Sequence, residues 1–116
     1  MNAEQIEKLK LLHADLDAAV AEFVKFMVEQ PIKIECSVDR GLLPALWFAC
    51  LNGEWGVFFG NGSHPLQEAS PTVKASALKN AELLYLELQK QIVVFRPEIE
   101  EAIELWKTFR AAVKSG

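Results

Sequence analysis

Surplus positive charge is the first thing this chain lacks. Twelve Lys and Arg stand against sixteen Asp and Glu, leaving a net charge of −4 over 116 residues. The acidic excess is spread along the chain, so no concentrated basic face is expected to neutralise phosphates. Non-specific nucleic-acid binding and an anionic-membrane role are therefore not expected. Long apolar runs are also missing: the longest, such as 44–51, are too short to cross a bilayer. Glu4, Glu7 and Lys8 break the apolar character a leader peptide would need. With no export signal, the two cysteines are read as reduced thiols in a reducing compartment, and a cytoplasmic location is the expectation. No repeat, low-complexity tract or linker interrupts the chain, and no cofactor motif is evident, so no cofactor is expected.

What is present suits one α+β domain over 1–116. Half the residues are apolar (51%) and a quarter charged (24%), a balance that builds a core without staples. Residues 3–29 read as an amphipathic helix, with Asn2 as N-cap and Gln5 completing a capping box. Leu9, Leu12, Leu16, Ala19, Phe23 and Phe26 alternate three and four apart, and Ile6, Val20, Val24 and Met27 widen that stripe. Pro31 marks the exit.

The middle is the β region. Ile32, Ile34, Cys36 and Val38 alternate with Lys33, Glu35 and Ser37, as in a half-buried strand. Asp39-Arg40-Gly41 offers turn chemistry before a second strand at 45–51. Asn52-Gly53 is a strong hairpin signal, because both turn residues need positive φ, and a third strand follows at about 54–60. A two-residue turn fixes the register. Leu46, Phe48, Cys50, Trp55, Val57 and Phe59 should share the core face of this three-stranded antiparallel meander. Trp47, Ala49, Leu51, Glu54, Gly56 and Phe58 should share the other.

Residues 60–68 read as a loop, and Ser70-Pro71 as a helix start. From there Leu78, Ala81, Tyr85, Leu88, Ile92, Phe95, Ile99, Ala102, Trp106, Phe109 and Val113 keep a three-four rhythm without a slip. That rhythm crosses Pro97, where an interior proline costs ~3 kcal/mol. Glu98, Glu100, Glu101 and Glu104, followed by Lys107, Arg110 and Lys114, also resemble a fresh helix with its dipole complemented. The main readings are one long helix kinked near Pro97 or two helices meeting there; a lesser one makes Ile92 to Phe95 a short strand, since β-branched residues favour it. The order α-β-β-β-α resembles that of double-stranded RNA-binding domains, with Lys74 and Lys79 early in the second helix. That order would imply a basic helix start facing phosphates, but Glu68 precedes the helix and no lysine cluster supports it.

Chemistry-bearing residues are few. His13 and Asp17 share a helical face but lack a third metal ligand, so no metal is expected. His64 sits in a glycine-rich loop near Ser63, Glu68 and Glu54, the only candidate centre for acid/base work. Gly60-Asn61-Gly62 follows a strand, yet the next helix begins too far on for a phosphate cradle. Cys36 and Cys50 both project to the core face, beyond disulfide reach of each other.

Contact surfaces are better signalled. Trp47 and Phe58 form a cross-strand pair beside small Ala49 and Gly56, near Lys33 and Glu35. Together with His64 they are the candidate ligand or partner contacts, unless a helix covers that face too. A continuous C-terminal helix would span roughly 60 Å, more than the first helix can cover. The surplus around Ile99, Trp106, Phe109 and Val113 needs a partner, most simply a second copy, so a homodimer is expected. These features favour a small non-catalytic interaction module: an adaptor, inhibitor or regulatory subunit. The alternative is a binder of a small apolar or aromatic ligand, in a pocket between sheet and helices lined by Phe48, Trp55 and Tyr85.

Overall fold

The computed structural model describes residues 2–39 and 44–115. The chain is α+β, in the order α1 (Ala3–Val28), β1 (Cys36–Val38), β2 (Leu46–Leu51), β3 (Glu54–Phe59), β4 (His64–Pro65), a 3-10 turn (Leu66–Glu68), α2 (Pro71–Lys79) and α3 (Ala81–Ser115). No helix among the described residues is long and apolar enough to cross a membrane.

Local chemistry places the ends of most elements. The Asn2 side chain accepts from the Gln5 amide at 2.9 Å, and Gln5 Oε1 accepts from the Asn2 amide at 3.0 Å, closing the capping box of α1. Ser70 caps α2 with Pro71 in its first turn. Asn52 (φ 54°) and Gly53 (φ 83°) both adopt the left-handed region that the tight turn between β2 and β3 requires. The resulting register pairs Leu46 with Phe59, Trp47 with Phe58, Phe48 with Val57 and Cys50 with Trp55, as the hairpin reading demands.

Three details differ from expectation. The first strand contributes only Cys36–Val38 to the ladder, paired with Phe48, Trp47 and Leu46. Residues 32–35 carry the chain from the end of α1 to the sheet, and Ile32 is left half-exposed. A fourth strand replaces part of the expected loop, with Pro65 opposite Phe58 and His64 opposite Phe59, so the antiparallel order is β1-β2-β3-β4. The expected C-terminal helix is interrupted at Asn80 rather than at Pro97. Asn80 leaves helical geometry (φ −107°, ψ 9°) and its side-chain amide donates to the Ser76 carbonyl at 2.8 Å. That local bond competes with the helical ladder. Its own carbonyl then accepts from Leu84, which starts α3.

Pro97, by contrast, lies inside α3 without ending it. Proline removes one amide donor from the ladder, and the carbonyl left behind is that of Val93. All residues of 93–100 are exposed, so the Val93 carbonyl faces solvent and carries no burial penalty on top of the proline's local cost to the helix. Of the turn expected at 39–41, Arg40 and Gly41 lie outside the described residues.

One face of the sheet carries the helices. Val20, Phe23 and Met27 of α1 and Leu84 and Leu88 of α3 pack with Leu46, Phe48, Val57 and Leu66 into one core. Helix α1 lies against α2 and β3, and α3 against β1 and β2. Phe26 and Tyr85 mark where the two long helices pass, their rings 5.4 Å apart. Both helices overrun the sheet. At 1.5 Å per residue they span about 39 and 52 Å, whereas a six-residue strand spans about 20 Å. The molecule measures 81 × 26 × 20 Å, a length that requires the overhangs to leave the body at opposite ends.

Candidate interaction surface

The overhang of α3 is the most distinctive surface. Its heptad stripe begins inside the body, where Leu84 and Leu88 are fully buried and Tyr85 and Ile92 half-buried. From residue 93 to residue 115 every side chain is exposed, over about 33 Å of helix. Phe95, Ile99, Trp106, Phe109 and Val113 continue the same stripe into solvent, joined by Ile103 and Leu105 on its flanks. Trp106 and Phe109 retain 58% and 60% of their surface, and their rings lie 5.9 Å apart. Most monomeric proteins expose apolar residues singly rather than in a contiguous stripe of this kind.

Charge on this arm is segregated. Glu98, Glu100, Glu101 and Glu104 occupy its first half, and Lys107, Arg110 and Lys114 its second. Arg96 is held by Glu100 at 3.0 Å and Lys107 by Glu104 at 3.6 Å, both fully in solvent. Such exposed pairs contribute little to stability. A smaller overhang lies at the other end, where residues 2–15 of α1 are all exposed, including Ile6, Leu9, Leu11 and Leu12. The charges there are interleaved and locally paired, Glu4 with Lys8 and Glu7 with Lys10. This second surface was not expected from the sequence, although the length of α1 against a six-residue strand is the signal that would have found it.

The sheet face opposite the helices is different from the surface expected there. Phe58 is buried, with only 8% of its surface accessible, and Ala49 beside it is buried too. The Phe58 ring folds back over Gly56, so close that a Cβ there would stand 3.2 Å from it. The expected step beside the small residues is thus filled by the phenylalanine. Trp47 is half-buried: its indole Nε1 donates to the Gly60 carbonyl at 3.1 Å, and Gly62 packs against the ring. The chain's own 60–65 segment covers this face, where a separate helix had been the alternative. Lys33 is half-buried and Glu35 exposed.

The remaining candidates are spoken for locally. The exposed His64 ring lies on Phe59, centroids 5.4 Å apart. Asn61 Oδ1 accepts from the Ser63 amide and hydroxyl, an Asx-type turn that shapes the loop over Trp47. Asp17 pairs with Lys74 at 2.7 Å rather than with His13, which also takes Lys74 away from any phosphate. Neither histidine joins an ion pair, and no group of three potential metal ligands converges, among the described residues. Phe48 is fully buried with the Trp55 ring tilted against it at 5.0 Å, and half-buried Tyr85 packs on Phe26, so the aromatics expected to line a pocket pack in or against the core. Cys36 and Cys50 are free thiols. Burial, with help from the Glu87 carboxylate, pushes the Cys36 thiol up to about 11.

Comparison with protein-family models, with curated proteins and with solved structures finds no match to any.

Proposed function

We propose that this protein is a non-catalytic, self-associating interaction module whose contact surface is the overhanging half of α3. The observation that carries the reading is the continuous stripe Phe95, Ile99, Trp106, Phe109 and Val113, exposed in a single copy. Covering a large apolar side chain is worth roughly 1.5–3 kcal/mol when complete. Contributions from both copies are of the size needed to offset an association cost of about 4–15 kcal/mol. The ligand-binding alternative has less support, because Phe48 and Trp55 pack on each other and Tyr85 packs on Phe26 of α1.

Sedimentation of the full chain, set beside a Trp106→Glu, Phe109→Glu double variant, tests the proposal. The wild type should sediment as a dimer at micromolar concentration. The variant should be monomeric with unchanged helical circular dichroism. A wild type that remains monomeric at tens of micromolar would overturn it.

A further inference from the structure

We infer that the occupant of the α3 arm is the arm of a second copy, lying antiparallel, with the two-fold axis at the level of Glu104. The inference rests on the self-association proposed above and adds the orientation and the register.

Three independent features of the arm lead to the same place. The first is side-chain size. In the stripe, Ile92, Ile99, Trp106 and Val113 occupy one heptad row and Phe95, Ala102 and Phe109 the other. An antiparallel pair sets one row against the other. The register that places Trp106 over the small Ala102 of the other copy also places Ile99 over Phe109 and Phe95 over Val113. A parallel, in-register pair instead stacks Trp106 on Trp106 and leaves Ala102 facing Ala102. The second feature is length. The fully exposed span runs from 93 to 115, and its midpoint is 104. The size-matched register has the same midpoint, so the arms overlap over their whole free length and each tip stops where the other body begins. A slip by one heptad loses about 10 Å of that overlap.

Charge is the third. In this register Glu98 lies level with Arg110, and Glu101 with Lys107, of the other copy. Glu98 and Arg110, like Glu101 and Lys107, lie on opposite flanks of the seam and make no direct pairs, but the acidic half of each arm runs alongside the basic half of the other, an arrangement a parallel pair lacks. Arg96 and Arg110 of the other copy share a flank at nearly the same level, a like-charge approach that Glu100, holding Arg96 at 3.0 Å, offsets. The α1 overhang fits the arm less well: residues 2–15 reach only about 21 Å, and their charges are interleaved. The seam presents roughly 600 Å² of apolar surface per copy, close to the ~800 Å² per partner of a stable interface.

The experiment reads assembly first and orientation second, on the full chain. Ile99→Cys and Phe109→Cys are made separately, mixed, and joined with a short thiol-reactive linker, and the linked peptides are mapped by mass spectrometry. Phe95→Cys with Val113→Cys is a second pair, in case the first weakens the seam. The expected result is linkage between positions 99 and 109, or between 95 and 113, only in the mixtures. In the antiparallel pair two copies of position 99 stand about 15 Å apart along the axis, beyond a short linker. Raising NaCl from 50 to 500 mM should weaken wild-type dimerisation about three- to tenfold, since screening weakens the attraction between the acidic half of one arm and the basic half of the other. Self-linkage at position 99, or tighter dimers in high salt, would refute the antiparallel arrangement while leaving self-association standing. A dimer in which neither mixed pair links would place the interface elsewhere and refute the inference likewise. A monomeric wild type would overturn both this inference and the function proposed above, and sedimentation reports that before any linker is added.

Discussion

The two halves of α3 carry the same apolar stripe on the same helix, yet one half is core and the other is surface. Up to Ile92 the stripe meets β1 and β2, and Leu84 and Leu88 lose all contact with water. Beyond it the sheet has ended, and Ile99, Trp106, Phe109 and Val113 have nothing of their own chain to meet. Periodicity therefore specifies which face of a helix is apolar, and the extent of the neighbouring layer decides whether that face supports the fold or seeks a partner.

Truncations on either side of Ile92 should separate the halves most sharply. Leu88→Ala should cost about 2–5 kcal/mol of folding stability, the range for a large-to-small change in a packed core. Phe109→Ala should cost under about 0.5 kcal/mol in the monomer, as for surface positions, while weakening dimerisation. Urea unfolding, run at concentrations above and below dimer formation, checks both. If the two substitutions destabilise the monomer equally, the contrast between body and arm fails.

Pro97→Ala asks whether the arm is held by helix propensity alone. Restoring the missing amide donor should strengthen the arm helix locally by up to ~3 kcal/mol. Amide exchange should then slow in 93–115 and not in the sheet. Protection spreading to β2 and β3 would show that the arm and the body unfold as one unit.

Cys36 probes the body half by pH. Its folded thiol is raised to about 11 from an ordinary 9.0 by burial, so the folded state keeps its proton longer than the unfolded chain does. The contribution is present below pH 9, falls as pH rises from 9 to 11, and levels off above that. The loss should reach at most about 3 kcal/mol and should be absent in Cys36→Ala. In the native protein at pH 8, half-buried Cys50 should alkylate before Cys36; the reverse order would mean that the β1–α3 contact opens readily.

The smallest effect belongs to the other overhang. Asn2→Ala removes the capping box at a local cost of about 0.5–2 kcal/mol. Because residues 2–15 touch little else, fraying should increase at the start of α1, with almost no change in global unfolding.

Much of the fold was legible from single residues. The Asn52-Gly53 turn, the side chains it sorts onto each face, the Asn2–Gln5 box and the Ser70-Pro71 start were all readable because each rests on a few neighbours in sequence. The exposed positions of the arm were readable as surplus, since eleven apolar residues in register exceed what α1 can cover. The Asn80 break was not, because the stripe passes through Leu78 and Ala81 unaltered and only a side-chain bond to Ser76 diverts the chain. Nor was the closing of the Trp47–Phe58 face, which depends on the 60–65 segment folding back to form β4.

Local sequence alone thus settled the register, the caps and the apolar faces, through torsional preference and hydrogen bonds spanning a few residues. Tertiary structure alone decided which apolar faces are covered. Burial depends on where the sheet stops relative to the helices laid across it, and that distance is written in no single stretch of the chain.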